Sequence, residues 1–515
     1  MPPRSYLCTA IDYTNGAPHI GHAYEKVLAD VIARYRRLRG DEVFFLTGVD
    51  QHGQKVQQSA DKQGVPPEQF VSEVTAKFVA LWEKLGVRYD GWAATIEGRH
   101  KRCVQDILQR LFDEGQLYKA TQGGHYSVRQ EQFLTDKERG PDGEFGAEWG
   151  EVEYREEENY YFRLAEHKDW LLALIDSRED LIAPAFRRTE LRNAVEKLSG
   201  DLCVSRPVQR LSWGIAFPFD LQFVTYVWFD ALVNYISFAP GHYSPTAGAE
   251  LAEFHQWWPP TIVIGKDIMV PAHGIYWMIM LHALGFSDAD MPQLVVHGWW
   301  NISGAKMSKS LGNVVDPDVL ADKHGAETLR YYLMSDIATG KDSDFSEERL
   351  IERFNSDLAN NIGNLLNRAL NMSHRYRAGV VRRVGGDGPL AAQAANTVAA
   401  YRREMDQFQT QAALASVSEF VTVCNTYVET TAPWKLAKDP TLAETLDHVL
   451  YGLAESLRII AVLISPVLPK AAAELISQLN CDSQELSLSA AEWGKLPDGH
   501  TLGKPVPLFP RLEAL

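Results

Sequence analysis

Two short stretches carry side chains that could act on a polyphosphate. The first is His19-Ile20-Gly21-His22, which opens a segment of helical period. Imidazoles three residues apart can point to one side, and each can donate an N–H to a phosphate oxygen whose charge grows during displacement. A helix N-terminus adds free N–H groups and partial positive charge, and Gly21 leaves room for a planar ring beside the backbone. The second is Gly-Ala-Lys-Met-Ser-Lys-Ser, residues 304–310, where Lys306 and Lys309 follow a glycine. Ammonium groups there would stabilise in-line attack on phosphorus and the departing pyrophosphate; losing one such donor typically costs about 3–4 kcal/mol. Taken singly, the first stretch could be a turn with incidental histidines and the second an exposed basic turn.

The pattern around these residues predicts the scaffold that positions them. Residues 5–13 read as a buried strand, followed by the turn Thr-Asn-Gly-Ala-Pro. Residues 20–39 have a helical period, with Ala23, Val27, Val31 and Tyr35 on one face and Gly40 as the stop. Residues 42–50 form a second strand, which completes the opening of a doubly wound parallel sheet. A helix is expected over roughly 67–86. Near Gly115 the composition turns to Gly, charge and aromatics, which predicts short strands and turns, then helix to about 200. The α/β pattern resumes at "FVTYVWFDALVNYISF", "TIVIGKDIM" and "QLVVHGWW". The sheet is thus interrupted by about 100 residues, too many for a structureless loop. From about 350 onward the chain has helical period almost throughout, which predicts a bundle. The expected fold is a doubly wound parallel nucleotide-binding sheet with an inserted small α/β subdomain, followed by an all-helical domain. The divisions are 1–115 and 225–325 for the sheet, 116–224 for the insert, 326–354 for a linking region and 355–515 for the bundle.

Composition narrows the class. With 515 residues the chain exceeds one core. The apolar stretch ending at Pro469 is broken by Pro466 and is too short to span a bilayer. No export signal is apparent, so a cytoplasmic location is expected. The five cysteines lie far apart with no Cys-x-x-Cys, which argues against disulfides and a cysteine-rich zinc site. A net charge of −16 does not exclude a nucleic-acid partner, because binding depends on the local field; residues 34–40 and 186–192 are candidate basic clusters.

His-Ile-Gly-His after the first strand and Lys-Met-Ser-Lys-Ser after the last resemble the two signatures of class I aminoacyl-tRNA synthetases. The stretches "AIDYTNGAPHIGHAYEKVLADVIARYRRLRGDEVFFLTGVDQHG", "YVWFDALVNYISF", "IGKDIM", "GAKMSKSLGNVVDP" and "APWKLAKD" extend the likeness, through nearly the whole chain, to the methionyl-tRNA synthetases. The resemblance implies ATP contacts at Asn15, His19, Gly21, His22, Gly265, Lys306 and Lys309, with His19, His22, Lys306 and Lys309 as the catalytic set. It implies a methionine pocket of Ile11, Tyr13, Asp50, Trp228, Ala231, Tyr235, His273 and Trp277, with Asp50 taking the substrate ammonium. Aromatic and apolar walls suit a thioether, each S–aromatic contact contributing about 0.3–1.5 kcal/mol. Two departures stand out: one extra residue between "GKDI" and His273, and Leu232 where many members have Pro. The bundle would read the anticodon, with Trp434 as a stacking platform and Asn364 and Arg368 contacting base edges.

The expected reaction is ATP-dependent activation of L-methionine and its transfer to the 3′ end of initiator and elongator methionine tRNA. Magnesium is expected to arrive with ATP, since no carboxylate cluster marks a site for it. Ser127 and Gln130 stand where relatives have a Cys-x-x-Cys, so no zinc is expected, and His125 reads as a surface polar residue. An insert of about 100 residues is too small for the hydrolytic editing domain of the isoleucine, valine and leucine enzymes. The chain ends at "LFPRLEAL" without the appended tRNA-binding domain of some relatives, and a monomer is expected. Alternatives are another class I synthetase, a small nucleotidylyltransferase, and a catalytically idle synthetase-like RNA-binding protein. The first two strain against the specific motifs and the bundle; the third strains against the intact histidines and lysines.

Overall fold

The structure is a computed structural model. It describes residues 2–128, 132–134, 138–140, 142–241, 243, 251–302, 304–306, 314–482 and 486–513. Lys309 and Gln130 lie outside the described residues, and of Lys306 only the backbone path is described.

The chain opens with β1 (Arg4–Thr9), β2 (Asp12–Tyr13), helix α1 (Ile20–Arg39), β3 (Glu42–Asp50) and β4 (Gly91–Ala94). It continues through β5 (Leu117–Ser127), β6 (Gln132–Leu134), β7 (Val152–Phe162), β8 (Ile182–Ala183), β9 (Leu202–Cys203), β10 (Ser205–Pro207) and β11 (Phe223–Thr225). Next come β12 (Thr261–Gly265), β13 (Gln293–His297), β14 (Trp300–Ile302), β15 (Ala305–Lys306) and β16 (Ser343–Asp344). The large sheet runs β4-β3-β1-β12-β13-β8, every pairing parallel, with β2 continuing the line of β1 along the end of β3. Strand order reverses between β1 and β12, so the crevice beyond their carboxyl ends is where an open α/β sheet binds its ligand.

The expected face of α1 is inside: Ala23, Val27, Val31 and Tyr35 are all buried. Gly40 ends the helix at φ 103, a conformation that suits a residue without Cβ, and its N–H returns to Arg36 and Arg37 carbonyls. Gly48 of β3 is needed for close approach, because a Cβ there would lie 2.0 Å from the Ala93 carbonyl oxygen of β4.

Within 116–224, an antiparallel sheet ordered β6-β5-β7-β9 stands apart from the large one. Not all of this segment does so. β8 returns to pair with β13, and the helices around it, Lys168–Ser177 and Ala185–Glu196, place Leu171, Leu174 and Leu191 in the same core as Ile264 and Leu294. The stretch 223–238 is a short strand and two short helices, Val227–Leu232 and Asn234–Ser237.

The linking region contributes helix Ala326–Ser335 and strand β16, which pairs with β14. The long bundle helices are Asn364–Arg377, Pro389–Asp406, Thr410–Thr431 and Ala443–Ile464. One apolar core runs unbroken from Val27 and Val31 through Leu329 and Leu333 to Leu365 and Leu457. At its centre the buried Arg330 pairs with Asp30 of α1 at 2.7 Å and donates to the carbonyls of Leu85, Pro466 and Val467. Among the described residues no helix is long and apolar enough to cross a membrane.

Candidate active site

His19 caps α1 and His22 closes the cap. The Gly21 N–H donates to His19 Nδ1, and the His19 N–H donates to His22 Nδ1, each at 3.1 Å. An Nδ1 that accepts a hydrogen bond carries no proton, so each neutral ring keeps its N–H at Nε2. The rings sit 3.9 Å apart between centroids and both line the same cleft. A Cβ on Gly21 would meet the His19 ring at 2.9 Å, so the glycine makes room for the imidazole that caps the helix.

The cleft has a volume of about 470 Å³, in the range of sites for small ligands. It lies at the crevice between β1 and β12. Its walls include His19, Gly21, His22, Ile11, Tyr13, Asp50, Trp228, Ala231, Tyr235, Gly265 and His273. Sequence reasoning placed all of these in one site, and the fold brings them together from six separate segments. Trp277 is fully buried behind Tyr235, its ring 5.7 Å away, and does not line the cleft. Asn15 is exposed in the turn before α1 and is also absent from the lining.

Two hydrogen bonds fix the apolar end. His273 Nδ1 faces the Ile268 carbonyl at 2.9 Å and must donate to it, leaving Nε2 to accept the Tyr235 hydroxyl at 2.7 Å. Burial lowers the His273 pKa from 6.5 to about 4, so the ring stays neutral. In the stretch ahead of and through His273, Met269–Trp277, the helical path is kinked where Val270 leaves helical geometry at φ −115°, ψ 124°.

Several residues at the site went unread in the sequence. Lys26 is fully buried, and its Nζ donates to the Ala10 carbonyl, Asp12 Oδ1 and Glu25 Oε1 at 2.8–2.9 Å. Glu25 Oε2 lies 3.2 Å from His297 Nε2, and Glu25, Asp12 and His297 all border the cleft. Burial alone would raise the Glu25 carboxyl, but Lys26 and His297 outweigh it and hold it below the usual range. Burial lifts Asp12 to about 7 against the opposing charge of Lys26. α1 is buried almost all round, and charges in such a helix must find partners.

In the bundle, Asn364 Nδ2 donates to Asn425 Oδ1 at 3.0 Å and Arg368 pairs with Glu429 at 2.8 Å, so both face the helix Thr410–Thr431. Trp434 is the second residue of the short helix Pro433–Leu436 and is half-buried against the bundle core. In the antiparallel sheet Ser127 is buried and donates its hydroxyl to the Trp149 carbonyl. The Tyr126 ring is flanked by Arg155 and Arg210, each 4.6 Å from its centroid. His125 packs against Phe145 and Tyr154. Among the described residues no group of three or more His, Cys, Asp and Glu side chains could hold a metal.

A parallel doubly wound sheet, an imidazole-capped helix at its switch point and a mostly helical domain, with one short antiparallel pair of Val380–Val381 and His500–Thr501 where the sequence suggested helices alone, are the arrangement of the class I aminoacyl-tRNA synthetases. Residues 5–143 and 147–370 match the family described as "tRNA synthetases class I (M)", and residues 384–514 match the "Anticodon binding domain of methionyl tRNA ligase". Similar curated proteins include the methionine–tRNA ligases of Deinococcus radiodurans and Bacillus subtilis. Each is 40% identical over 99% of this chain, spanning 74% and 78% of its own length respectively. Among solved structures, Mycobacterium tuberculosis methionyl-tRNA synthetase in complex with methionyl-adenylate superposes with a TM-score of 0.91. It is 34% identical, over 99% of this chain and 100% of that one. The apo form of that enzyme gives a TM-score of 0.86 at 31% identity, over 100% and 99% of the two chains. The chain belongs to the methionyl-tRNA synthetase family.

Proposed function

We propose that the cleft activates L-methionine with ATP and that the chain then transfers the methionyl group to methionine tRNA, initiator and elongator alike. The observation that carries this is a single cavity lined both by the imidazole pair at the head of α1 and by the Trp228, Ala231, Tyr235 and His273 wall. Asp50 receives the substrate ammonium. Ile11, Tyr13 and the aromatic wall hold the thioether, with Trp277 backing Tyr235. Gly21 and Gly265 border the nucleotide, Asn15 reaches it from the turn outside the cleft lining, and the phosphates meet His19 and His22.

The methionine carboxylate attacks the α-phosphorus, the bond to the β-phosphate oxygen breaks, and pyrophosphate leaves. Nε2–H donors on His19 and His22, with the ammonium groups of Lys306 and Lys309, offset the charge that develops on the phosphate oxygens. The terminal ribose hydroxyl of tRNA then attacks the activated carbonyl and AMP departs. Positioning and charge stabilisation do this work without a protein nucleophile. Magnesium enters as part of the MgATP substrate. Neutral His273 keeps the apolar end uncharged, as a thioether requires.

In this reading residues 1–115 and 225–325 form the catalytic body, 116–224 the connective insert, 326–354 the link and 355–515 the anticodon-binding domain. Within that insert, the pairing of β8 with β13 and the shared core support counting 168–196 with the catalytic body. Trp434 stacks an anticodon base while Asn364 and Arg368, released from Asn425 and Glu429, contact base edges. The chain acts as a cytoplasmic monomer, which sedimentation and cell fractionation test. The reading as a whole is tested by amino-acid-dependent ATP–pyrophosphate exchange. Methionine alone should drive it; exchange driven by another amino acid, or by none, overturns it.

A further inference from the structure

Outside the residues already assigned, one buried charge stands directly behind the walls of the cleft. Asp230 is 1% exposed and lies on the short helix between Trp228 and Ala231. Its Oδ2 is 2.7 Å from His52 Nδ1 and its Oδ1 is 2.8 Å from His100 Nε2. His100 Nδ1 is in turn 2.7 Å from Ser237 Oγ, two residues beyond Tyr235. All four side chains are buried. Burial alone would raise the Asp230 carboxyl, yet the two imidazoles outweigh it and keep it ionised. An ionised carboxylate only accepts, so it fixes the donor nitrogen of both rings: Nδ1–H on His52 and Nε2–H on His100.

His52 is two residues beyond Asp50, in the turn that leaves β3. Its backbone N–H points at Asp50 Oδ1, 3.4 Å away. The turn is tight: Gly53 has φ 102°, and a Cβ there would stand 2.7 Å from the Tyr13 hydroxyl. The Trp213 indole N–H donates to the Gln51 carbonyl at 2.6 Å and closes the other side. A single carboxylate therefore ties the turn bearing Asp50, the helix bearing Trp228 and Ala231, and, through His100 and Ser237, the helix bearing Tyr235.

We propose that Asp230 is a positioning residue for methionine, acting through His52 to hold Asp50 where the substrate ammonium arrives. This rests on the reading of Asp50 as the partner of that ammonium. Asp230 touches no substrate. It sets the distance between the ammonium-binding end and the thioether wall, the dimension by which an unbranched amino acid of methionine's length is selected.

Asp230→Asn tests it, because the amide keeps the shape but cannot accept from both rings. In pyrophosphate exchange the variant should raise the methionine KM at least tenfold while kcat and the ATP KM stay within twofold. Asp50→Asn should raise the methionine KM by itself, and in that background Asp230→Asn should add less than twofold. If Asp50→Asn leaves the methionine KM unchanged, the reading of Asp50 fails and the proposal with it. If Asp50→Asn raises it but Asp230→Asn multiplies the loss independently, or raises the ATP KM equally, the positioning role alone is overturned. Should Asp230→Asn not fold, His52→Gln, which removes the ring between Asp230 and the Asp50 turn, takes its place. A roughly threefold rise in methionine KM that disappears in the Asp50→Asn background supports the proposal, and an unchanged KM overturns it.

Discussion

Replacing Tyr235 by Phe isolates the hydrogen bond that orients His273. The ring of Tyr235 stays, with its contacts to Trp277 and His273, and only the hydroxyl is lost. His273 Nε2 then faces an apolar edge. The imidazole cannot answer by moving its proton, because Nδ1–H is committed to the Ile268 carbonyl at 2.9 Å. A buried acceptor left without a donor costs about 1–3 kcal/mol. Both side chains are 2% exposed or less, so water offers little compensation. Urea unfolding should show a loss of that size. A ring free to tilt should also weaken the methionine pocket. A rise of about tenfold in methionine KM, equivalent to roughly 1.4 kcal/mol, is expected in pyrophosphate exchange, with the ATP KM unchanged. Unfolding like that of the parent protein, together with an unaltered methionine KM, would refute the claim that this bond holds the pocket.

Further outcomes follow from the same geometry. His22→Ala should lower kcat for exchange by about 10²–10³ and leave the methionine KM near its parent value, since one donor to the developing charge is lost. Stability should fall in acid because of His273. The unfolded imidazole titrates near 6.5 and the folded one near 4, so the unfolded state binds the extra proton between these values. That stability is complete above pH 6.5 and drains as pH drops toward 4, by on the order of 3 kcal/mol, a slope that His273→Gln should flatten in unfolding measured at pH 7 and pH 4.5. Trp434→Ala should depress charging of methionine tRNA by at least tenfold without changing exchange, which a paired measurement of both activities checks. Gly48→Ala should destabilise the protein strongly in thermal unfolding, because backbone atoms of Ala93 block the new Cβ.

What the sequence revealed of this molecule follows its punctuation. α1 was legible to the residue because His19 caps it and Gly40 ends it, and β3 because an apolar run lies between Gly40 and Asp50. His19, Gly21 and His22 were singled out by their types and spacing, whereas Asp50 came from the resemblance. Trp228, Tyr235 and His273 were not readable from period or spacing, since each looks like any core aromatic, and they came from the resemblance. The kink at Val270 within Met269–Trp277 was not foreseen; the sequence showed only one surplus residue there. β8 escaped because two residues are too few for a strand pattern, and their partner β13 lies more than a hundred residues on. Lys26, Asp12 and Asp230 were missed for one physical reason. A charge in the sequence reads as solvated until tertiary packing closes over it, and only the fold shows the partners that make its burial tolerable.

The central claim is that the imidazole pair and the aromatic wall serve one ligand. Crystals grown with methionine and ATP, solved by diffraction, test it directly. Methionyl-adenylate in the cleft is predicted, with its phosphate within hydrogen-bond distance of His19 or His22, its ammonium on Asp50 and its sulfur against Trp228, Tyr235 and His273. A nucleotide bound elsewhere, or a methionine side chain outside that wall, would contradict the account.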